Sequence, residues 1–160
     1  MSQKINLRVW LKIPDAEAAT VKNTLIRRLG YGHILADVKK ERLFSIEVDS
    51  GDPLELAKSF AKELVNENKE SHKVHIGDLV YEDDYVPVKV ALHIEDGEAI
   101  SIRERLHSRL GFSNVVDVKK ATVWKLYFKT LRPEAQIAAR EIAEKLLINP
   151  HKDTYEILSH

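Results

Sequence analysis

The chain has 160 residues and a mass of 18.3 kDa, with 44% apolar and 31% charged residues, a composition typical of globular proteins rather than disordered chains. Lys plus Arg and Asp plus Glu each number 25, so the net charge is zero and we expect no nucleic-acid or membrane partner. Cysteine is absent, which excludes disulfides and thiolate chemistry. No apolar segment predicts a signal peptide or a membrane span, so we expect a cytoplasmic protein.

Two long stretches of the sequence repeat each other. With a shift of 81 positions, residues 9–30 align with residues 90–111, and 10 of these 22 positions are identical. The tetrapeptide Asp-Val-Lys-Lys also occurs twice, at 37–40 and at 117–120. A tandem duplication explains both observations. The predicted organisation is a first repeat at residues 1–80, an acidic linker at 81–85 and a second repeat at 86–160.

Each repeat begins with a predicted strand and a predicted helix. Apolar residues alternate over residues 5–13 and again over 86–94, which is typical of a strand with one buried face. Apolar residues at helical spacing follow over residues 18–29 in the first repeat. The expected N-caps of these first helices are Asp15 and Asp96, and the expected left-handed residues at their ends are Gly30 and Gly111.

Two strands, a helix and a closing strand complete each repeat. We expect a tight charged hairpin at each Asp-Val-Lys-Lys segment and a further strand after it, over 44–48 in the first repeat. Asp52-Pro53 starts the second helix, because proline is tolerated in a first turn. The predicted fold class is α+β, with two tandem βαββαβ ferredoxin-like units whose antiparallel sheets carry helices on one face.

The other face of each predicted sheet is unusually apolar for a surface that meets only water. In the first repeat it carries Arg8, Trp10 and Leu43. Such a face favours pairing between units or between chains, and we expect a homodimer of tandem chains.

No motif predicts catalysis or metal binding. The closest histidines, His72 and His75, fall on opposite faces of a strand, and the sequence has neither a glycine-rich phosphate loop nor a nucleophile elbow. Only Tyr127 places an aromatic ring on the open face of its strand, which does not match an RNA-recognition surface. We therefore predict no catalytic residues, no metal ligands and no cofactor bound by this chain.

The end of the second repeat resembles a known family. Residues 144–157 read EKLLINPHKDTYEI, which is similar to E-K-L-L-x-N-P-x-x-x-x-Y-E-I near the C-terminus of the PurS family, the small subunit of phosphoribosylformylglycinamidine synthase in purine biosynthesis. Residues 110–119 also resemble its L-G-[YF] and D-V-[RK] stretch. The resemblance covers nearly all of residues 86–158 and, more faintly, residues 5–80, so the chain looks like two PurS-like units in tandem.

The chain departs from the family pattern at several places, one of which is the family's Asp-Pro-x-Gly before the first helix, reduced here to 14–17 and 95–98. Where the family has Gly-Lys after D-V-[RK]-x, this chain has Glu41-Arg42 and Ala121-Thr122. The first helix has one residue more between its leucine and its glycine. The first repeat has Asn66-Glu67-Asn68 in the region of the Asn-Pro signature, so we expect this repeat to be mainly structural.

The resemblance implies a subunit without chemistry of its own. In such a complex a glutaminase subunit releases ammonia from glutamine, a larger synthetase subunit uses ATP and Mg²⁺, and the small subunit bridges the two. We expect those two subunits as partners, with ATP, magnesium and glutamine used by them. The candidate partner-interface residues are Asp37, Lys39, Lys40, Asp117, Lys119, Lys120, Asn149 and Pro150.

Two alternatives stay open. The Asp-Val-Lys-Lys segments could simply be charged hairpins that keep a sheet edge soluble. The whole chain could instead be a tandem ACT-like module that senses amino acids, since such domains share the βαββαβ order and often use a glycine at the first strand–helix turn, where Gly97 stands.

Overall fold

The computed structural model describes residues 2–93, 95–130 and 132–158. The helices and strands, in chain order, are β1 (Gln3–Leu11), α1 (Ala16–Asn23), β2 (Leu35–Val48), α2 (Pro53–Leu64), β3 (Glu70–Ile76), β4 (Val86–Leu92), α3 (Gly97–Glu104), β5 (Val115–Phe128), α4 (Arg132–Ile142) and β6 (Asp153–Ile157). Single π-helical turns extend three of the helices, at Thr24–Arg28, Arg105–Arg109 and Ala143–Leu147. Ile94, the last residue of a predicted strand, lies outside the described residues.

The chain divides into two compact units, and each unit contains segments of both predicted repeats. The first unit comprises Met1–Lys12, Arg42–Val80 and Glu95–Ala121, and the second comprises Ile13–Glu41, Tyr81–Ile94 and Thr122–His160. Helix α1 therefore belongs to the second unit and α3 to the first. The predicted repeats describe duplicated sequence rather than these compact units, so their boundaries stay a prediction.

The first unit has the strand order β3-β1-β2-β5, with the second half of β2 and the first half of β5. Strand β1 pairs antiparallel with both β2 and β3. Its alternating residues Ile5, Leu7 and Val9 are buried against Phe60 of α2 and against Leu106, in the π-turn after α3. One apolar face of the sheet thus packs against two helices, one from each predicted repeat.

The opposite face of β1 is covered by the segment that follows β3. Asn6 and Arg8 are 3% and 2% exposed. The Asn6 side chain donates to the carbonyl of Gly77 at 2.8 Å, and Arg8 Nη1 donates to the carbonyl of Val80 at 3.4 Å. Because these buried polar side chains have backbone partners, they hold the segment after β3 on this face.

The second unit has the strand order β2-β5-β4-β6 and the same plan. Strand β4 pairs antiparallel with β5 and β6. Val88 and Leu126 are buried together with Leu25, in the π-turn after α1, and with Ile142 of α4. Both units therefore combine an antiparallel sheet with helices on one face, and the predicted α+β fold class is confirmed.

The predicted ends of the first helices are confirmed. Asp15 accepts a hydrogen bond from the N–H of Ala18 at 3.1 Å, and Asp96 accepts from that of Ala99 at 3.1 Å. Gly30 and Gly111 have φ values of 78° and 77°, in the left-handed region that glycine adopts without strain. Before each glycine lies a π-turn, which accommodates the extra residue noted in these helices because a π-turn inserts one residue into a helix.

The hairpin expected at each Asp-Val-Lys-Lys segment is wrong. Residues 35–48 form one continuous strand of 14 residues, and residues 115–128 form another. A tight hairpin needs residues that accept a positive φ, usually glycine or asparagine. Glu41 and Ala121 stand where the family has that glycine, so the strands run on, and the two compact units divide at these positions.

Candidate partner interface

The first Asp-Val-Lys-Lys segment lies in the second unit, in the first half of β2. Val38 is buried in the core, and Asp37 Oδ1 accepts from its backbone N–H at 2.8 Å. The same carboxylate lies 3.3 Å from Nζ of Lys22 on α1. Lys39 is exposed, with its Nζ 5.3 Å from the ring centre of Tyr127. Asp37 thus has partners within its own unit, whereas the Lys39 side chain faces solvent.

Lys40 is tied to the start of α1. Its Nζ lies 2.8 Å from Oε2 of Glu17 and 3.7 Å from Oδ2 of Asp15. Both carboxylates sit at the helix N-terminus, where the helix dipole favours negative charge. Lys40 therefore joins β2 to α1 by an ion-pair cluster and is not a free charge.

The second copy lies in the first unit, in the first half of β5, and repeats this division of roles. Lys120 Nζ lies 2.6 Å from Oε2 of Glu98, in the first turn of α3. Lys119 is exposed and has no ion-pair partner within the described part of the chain, and Asp117 is half-buried. In both copies the second lysine holds a helix and the first lysine stays accessible.

The Asn149-Pro150 turn is held by its own side chains. Asn149 Oδ1 accepts from the N–H of His151 at 3.0 Å, and the Asn149 N–H donates to Oδ2 of Asp153 at 2.8 Å. The first repeat builds the same turn without proline. There, Asn66 Oδ1 accepts from the N–H of Asn68 at 3.2 Å, and the Asn66 N–H donates to Oε1 of Glu70 at 2.9 Å. The asparagine shapes the turn in both places, and both asparagines are exposed.

Sequence reasoning missed a buried ion pair in the second unit. Lys125 Nζ lies 3.0 Å from Oε2 of Glu41, whose side chain is 1% exposed. The same ammonium lies 4.8 Å from the ring centre of Tyr85, a cation–π geometry. The available signal was an acidic residue at the place of the family's glycine, but the partner lies in the other predicted repeat and no local pattern links the two.

Tyr127 lies beside this pair. Burial, followed by the negative charges of Asp84, Asp37, Glu41 and Glu82, raises the pKa of Tyr127 to about 12. Its ring centre is 5.2 Å from that of Tyr85. This part of the second unit is therefore a cluster of aromatic rings and charges at the open face that the sequence predicted for Tyr127.

A cleft in the first unit was also missed. It measures about 500 Å³ and lies among β2, the end of α2, and α3 with its π-turn. The buried side chains of Phe44 and Ile102 contribute to its lining. Its charged lining residues are Arg42, Glu63, Glu98, Glu104, Arg105 and Arg109. These side chains come from both predicted repeats, so neither repeat shows the cleft by itself.

Both compact units share a ferredoxin-like α+β plan. Among residues 2–93, 95–130 and 132–158, no group of three His, Cys, Asp or Glu side chains could hold a metal ion. Within the same residues, no helix has the length and apolar character that crossing a bilayer requires.

Residues 85–160 match the PurS family model, described as phosphoribosylformylglycinamidine (FGAM) synthase. The resemblance predicted from the sequence is confirmed over this range, which covers just under half of the chain. The match links the protein to FGAM synthase and thereby to purine biosynthesis. It does not extend to residues 1–84, so the tandem duplication stays a prediction.

Two other comparisons add little. No curated protein matches the chain. A crystal structure of an unknown protein from Galdieria sulphuraria aligns over 99% of this chain and 100% of its own, with 10% identity and a TM-score of 0.21, which is too low to support an argument about fold or function.

Proposed function

We propose that this protein is a non-catalytic bridging subunit of the FGAM synthase complex, which links a glutaminase subunit to a synthetase subunit. The observation that carries the proposal is the family match over residues 85–160. In this proposal the partners bind and use glutamine, ATP and Mg²⁺, and this chain contributes surfaces.

The proposed contribution is to guide ammonia between the partners. Ammonia that escapes into water is protonated, and its lone pair is then lost for attack on an activated amide. A subunit that contacts both enzymes and excludes water from the path keeps ammonia unprotonated and raises its local concentration. Such a role needs shape and docking contacts rather than a nucleophile or a base.

The docking contacts we propose centre on the accessible lysines and on the second-repeat turn. Lys39 and Lys119 are exposed, and the Asn149-Pro150 turn presents an exposed side chain on a self-stabilised loop. Positive charge at the rim of an interface steers and orients an acidic partner surface. Within its own unit, each exposed lysine stands next to a lysine that is ion-paired to a helix, Lys40 with Glu17 and Lys120 with Glu98.

Reconstitution with the two partner subunits tests the proposal. We expect glutamine-dependent FGAM formation to require this protein, and formation from added ammonia to need it much less. The protein alone should show no glutaminase or ATPase activity. Glutamine-dependent activity that is equal with and without this protein contradicts the assignment.

Charge reversal locates the docking surface. Lys39→Glu combined with Lys119→Glu should weaken assembly, measured by analytical ultracentrifugation of the mixed subunits, because reversed charge opposes an acidic partner. Lys58→Glu combined with Lys62→Glu is the matched control, since both lysines lie on α2 and are exposed and the net charge changes by the same amount. Equal effects of both changes would show that net charge matters rather than this surface.

A further inference from the structure

The cleft of the first unit is lined by positive and negative side chains, and some of them form no ion pair among the described residues. Arg42 is paired, with its Nη2 2.6 Å from Oε2 of Glu70. Arg109, Glu63 and Glu104 have no ion-pair partner in the part of the chain that the structure describes, although all three line the cleft. An exposed charge costs little, but one arginine and two carboxylates around a common cavity form a polar lining suited to a ligand.

Arg105 also lines the cleft, and its side chain is held in place by a hydrogen bond to the backbone. It is the first residue of the π-turn after α3, and its Nη2 donates to the backbone carbonyl of Glu63 at 3.1 Å. Its Nε is buried and has no hydrogen-bond partner among the described residues. A buried N–H donor without a partner raises the free energy of the folded state. A ligand oxygen that completed the hydrogen bonds of this guanidinium would therefore bind more favourably than at an exposed arginine.

The charge balance selects the ligand class. A phosphate dianion would meet Glu63 and Glu104 as well as the arginines, and the like charges would oppose its binding. A molecule with one carboxylate and one ammonium group matches both signs. The cleft volume of about 500 Å³ falls within the range of small-molecule sites, and Phe44 and Leu64 add an apolar surface.

The equivalent positions of the second unit show that this lining is particular to the first. Under the alignment of the two predicted repeats, Arg42, Glu63, Glu104 and Arg105 correspond to Thr122, Ala143, Asn23 and Thr24. Arg109 corresponds to Arg28, so one arginine is shared. The first unit therefore has four charged side chains at positions where the second unit has neutral ones. The fold that both units share does not require these charges.

We propose that this cleft binds a free amino acid with an apolar side chain. Arg105 and Arg109 take the carboxylate, Glu63 and Glu104 take the ammonium group, and the side chain rests on Phe44 and Leu64. The site lies within one compact unit and does not depend on the bridging role, so it goes beyond the proposed function. It also differs from an ACT-type site, which forms between domains.

Titration of the full chain with L-leucine and L-phenylalanine, followed by NMR or calorimetry, tests the proposal without partner subunits. We expect saturable binding of at least one of these at millimolar concentration, with shifts at residues of α3 and its π-turn. N-acetyl-leucine, which lacks the ammonium group, leucinamide, which lacks the carboxylate, and inorganic phosphate should bind at least about tenfold more weakly. Saturation by phosphate alone, or by none of the probes, overturns the proposal.

Matched arginine variants assign the site. Arg109→Ala should weaken binding roughly tenfold or more, because one charge-assisted contact is lost. Arg28→Ala, at the corresponding exposed position of the second unit, should leave binding unchanged. Arg105→Gln should also weaken binding, and its thermal unfolding shows whether the fold is intact. If Arg28→Ala weakens binding as much as Arg109→Ala does, the cleft is not the site and the proposal fails.

Discussion

The two compact units share one plan but fill equivalent interior positions differently. Beside the sheet of the first unit, the ring centres of Phe60 and Phe112 are 5.2 Å apart in an edge-to-face arrangement. The helix of the second unit that matches α2 is α4, where small residues pack instead. Its buried residues are Ala135, Ala138, Ala139 and Ile142.

The two units also differ in where they place charged side chains. The second unit buries the Glu41–Lys125 pair, where the first has Ala121 and Ser45 at the matching positions. The first unit in turn carries the charged cleft, and four of the matching positions in the second unit hold neutral residues. A sheet with two helices on one face therefore sets the scaffold only, and each unit has acquired polar features that the other lacks.

The largest effect should come from truncating the core leucine of either first helix. Leu25 and Leu106 are both fully buried, at 0% exposure, and each Leu→Ala change should cost about 2–5 kcal/mol. Hydrogen exchange distinguishes the units. Leu25→Ala should speed exchange in β4 and β6 before β1 and β3, and Leu106→Ala should do the reverse. Faster exchange in β1 and β3 for Leu25→Ala would contradict the interleaved units.

Breaking the buried ion pair of the second unit should cost nearly as much. Lys125→Met removes the ammonium group that pairs with the buried Glu41 carboxylate, and the free energy of unfolding should fall by about 3 kcal/mol. The double variant Glu41→Ala with Lys125→Ser copies the residues of the first unit. It should recover most of that loss in denaturant unfolding, whereas a loss equal to that of Lys125→Met would show that the pair is not the cause.

The dependence of stability on alkaline pH should distinguish the two units by a smaller effect, because Tyr127 lies in the second unit. Tyr127 has a pKa of about 12 in the folded protein against 10.0 for an ordinary tyrosine, so between these values the unfolded chain has released a proton that the folded chain keeps. The unfolded state then binds fewer protons, and stability falls as pH rises. This contribution is fully present below pH 10 and is lost on passing through pH 12.

Tyr127→Phe provides the control for that titration. The variant lacks the phenol, so its unfolding midpoint should decline less between pH 10 and pH 12 than that of the wild type. The first unit has Glu47 at the matching position and no phenol to titrate there. Parallel curves for wild type and variant would count against the raised pKa.

The smallest effect concerns the two asparagine turns. Because Asn66 and Asn149 make matching hydrogen bonds, a proline at position 67 should fit as Pro150 does. Glu67→Pro should stabilise the chain by about 0.4–1 kcal/mol and Pro150→Glu should destabilise it by a similar amount, through the entropy of the unfolded chain. Chemical denaturation measures both, and a loss of stability for Glu67→Pro would show that the turns differ.

Local chemistry was predictable from the sequence. Asp15 and Asp96 were expected as caps and Gly30 and Gly111 as left-handed residues, because a side-chain acceptor and a missing Cβ act on the nearest few residues. The fold class also followed, since alternating and helical periodicities report which face of each element is buried.

Connections between distant segments were not predictable. Each repeat alone favours a hairpin at its two lysines, yet each continuous strand pairs both with the first strand of its own repeat and with the long strand of the other. The cleft has the same origin, since Arg42 and Arg105 lie in different repeats. No local signal states which of two similar segments a strand or helix will pack against.

The continuous strands β2 and β5 have a consequence for synthesis. When the ribosome has released residues 1–80, the first unit still lacks Ile102, Leu106, Val115 and Val118 of its core. The apolar face of its sheet and of α2 stays uncovered until residues up to Ala121 have been synthesised. The first unit is therefore completed late, through contacts between residues that are distant in the sequence, and such contacts slow folding. Apolar surface stays exposed for longer as a result. We therefore expect such a nascent chain to depend more on chaperones than one whose halves fold in turn.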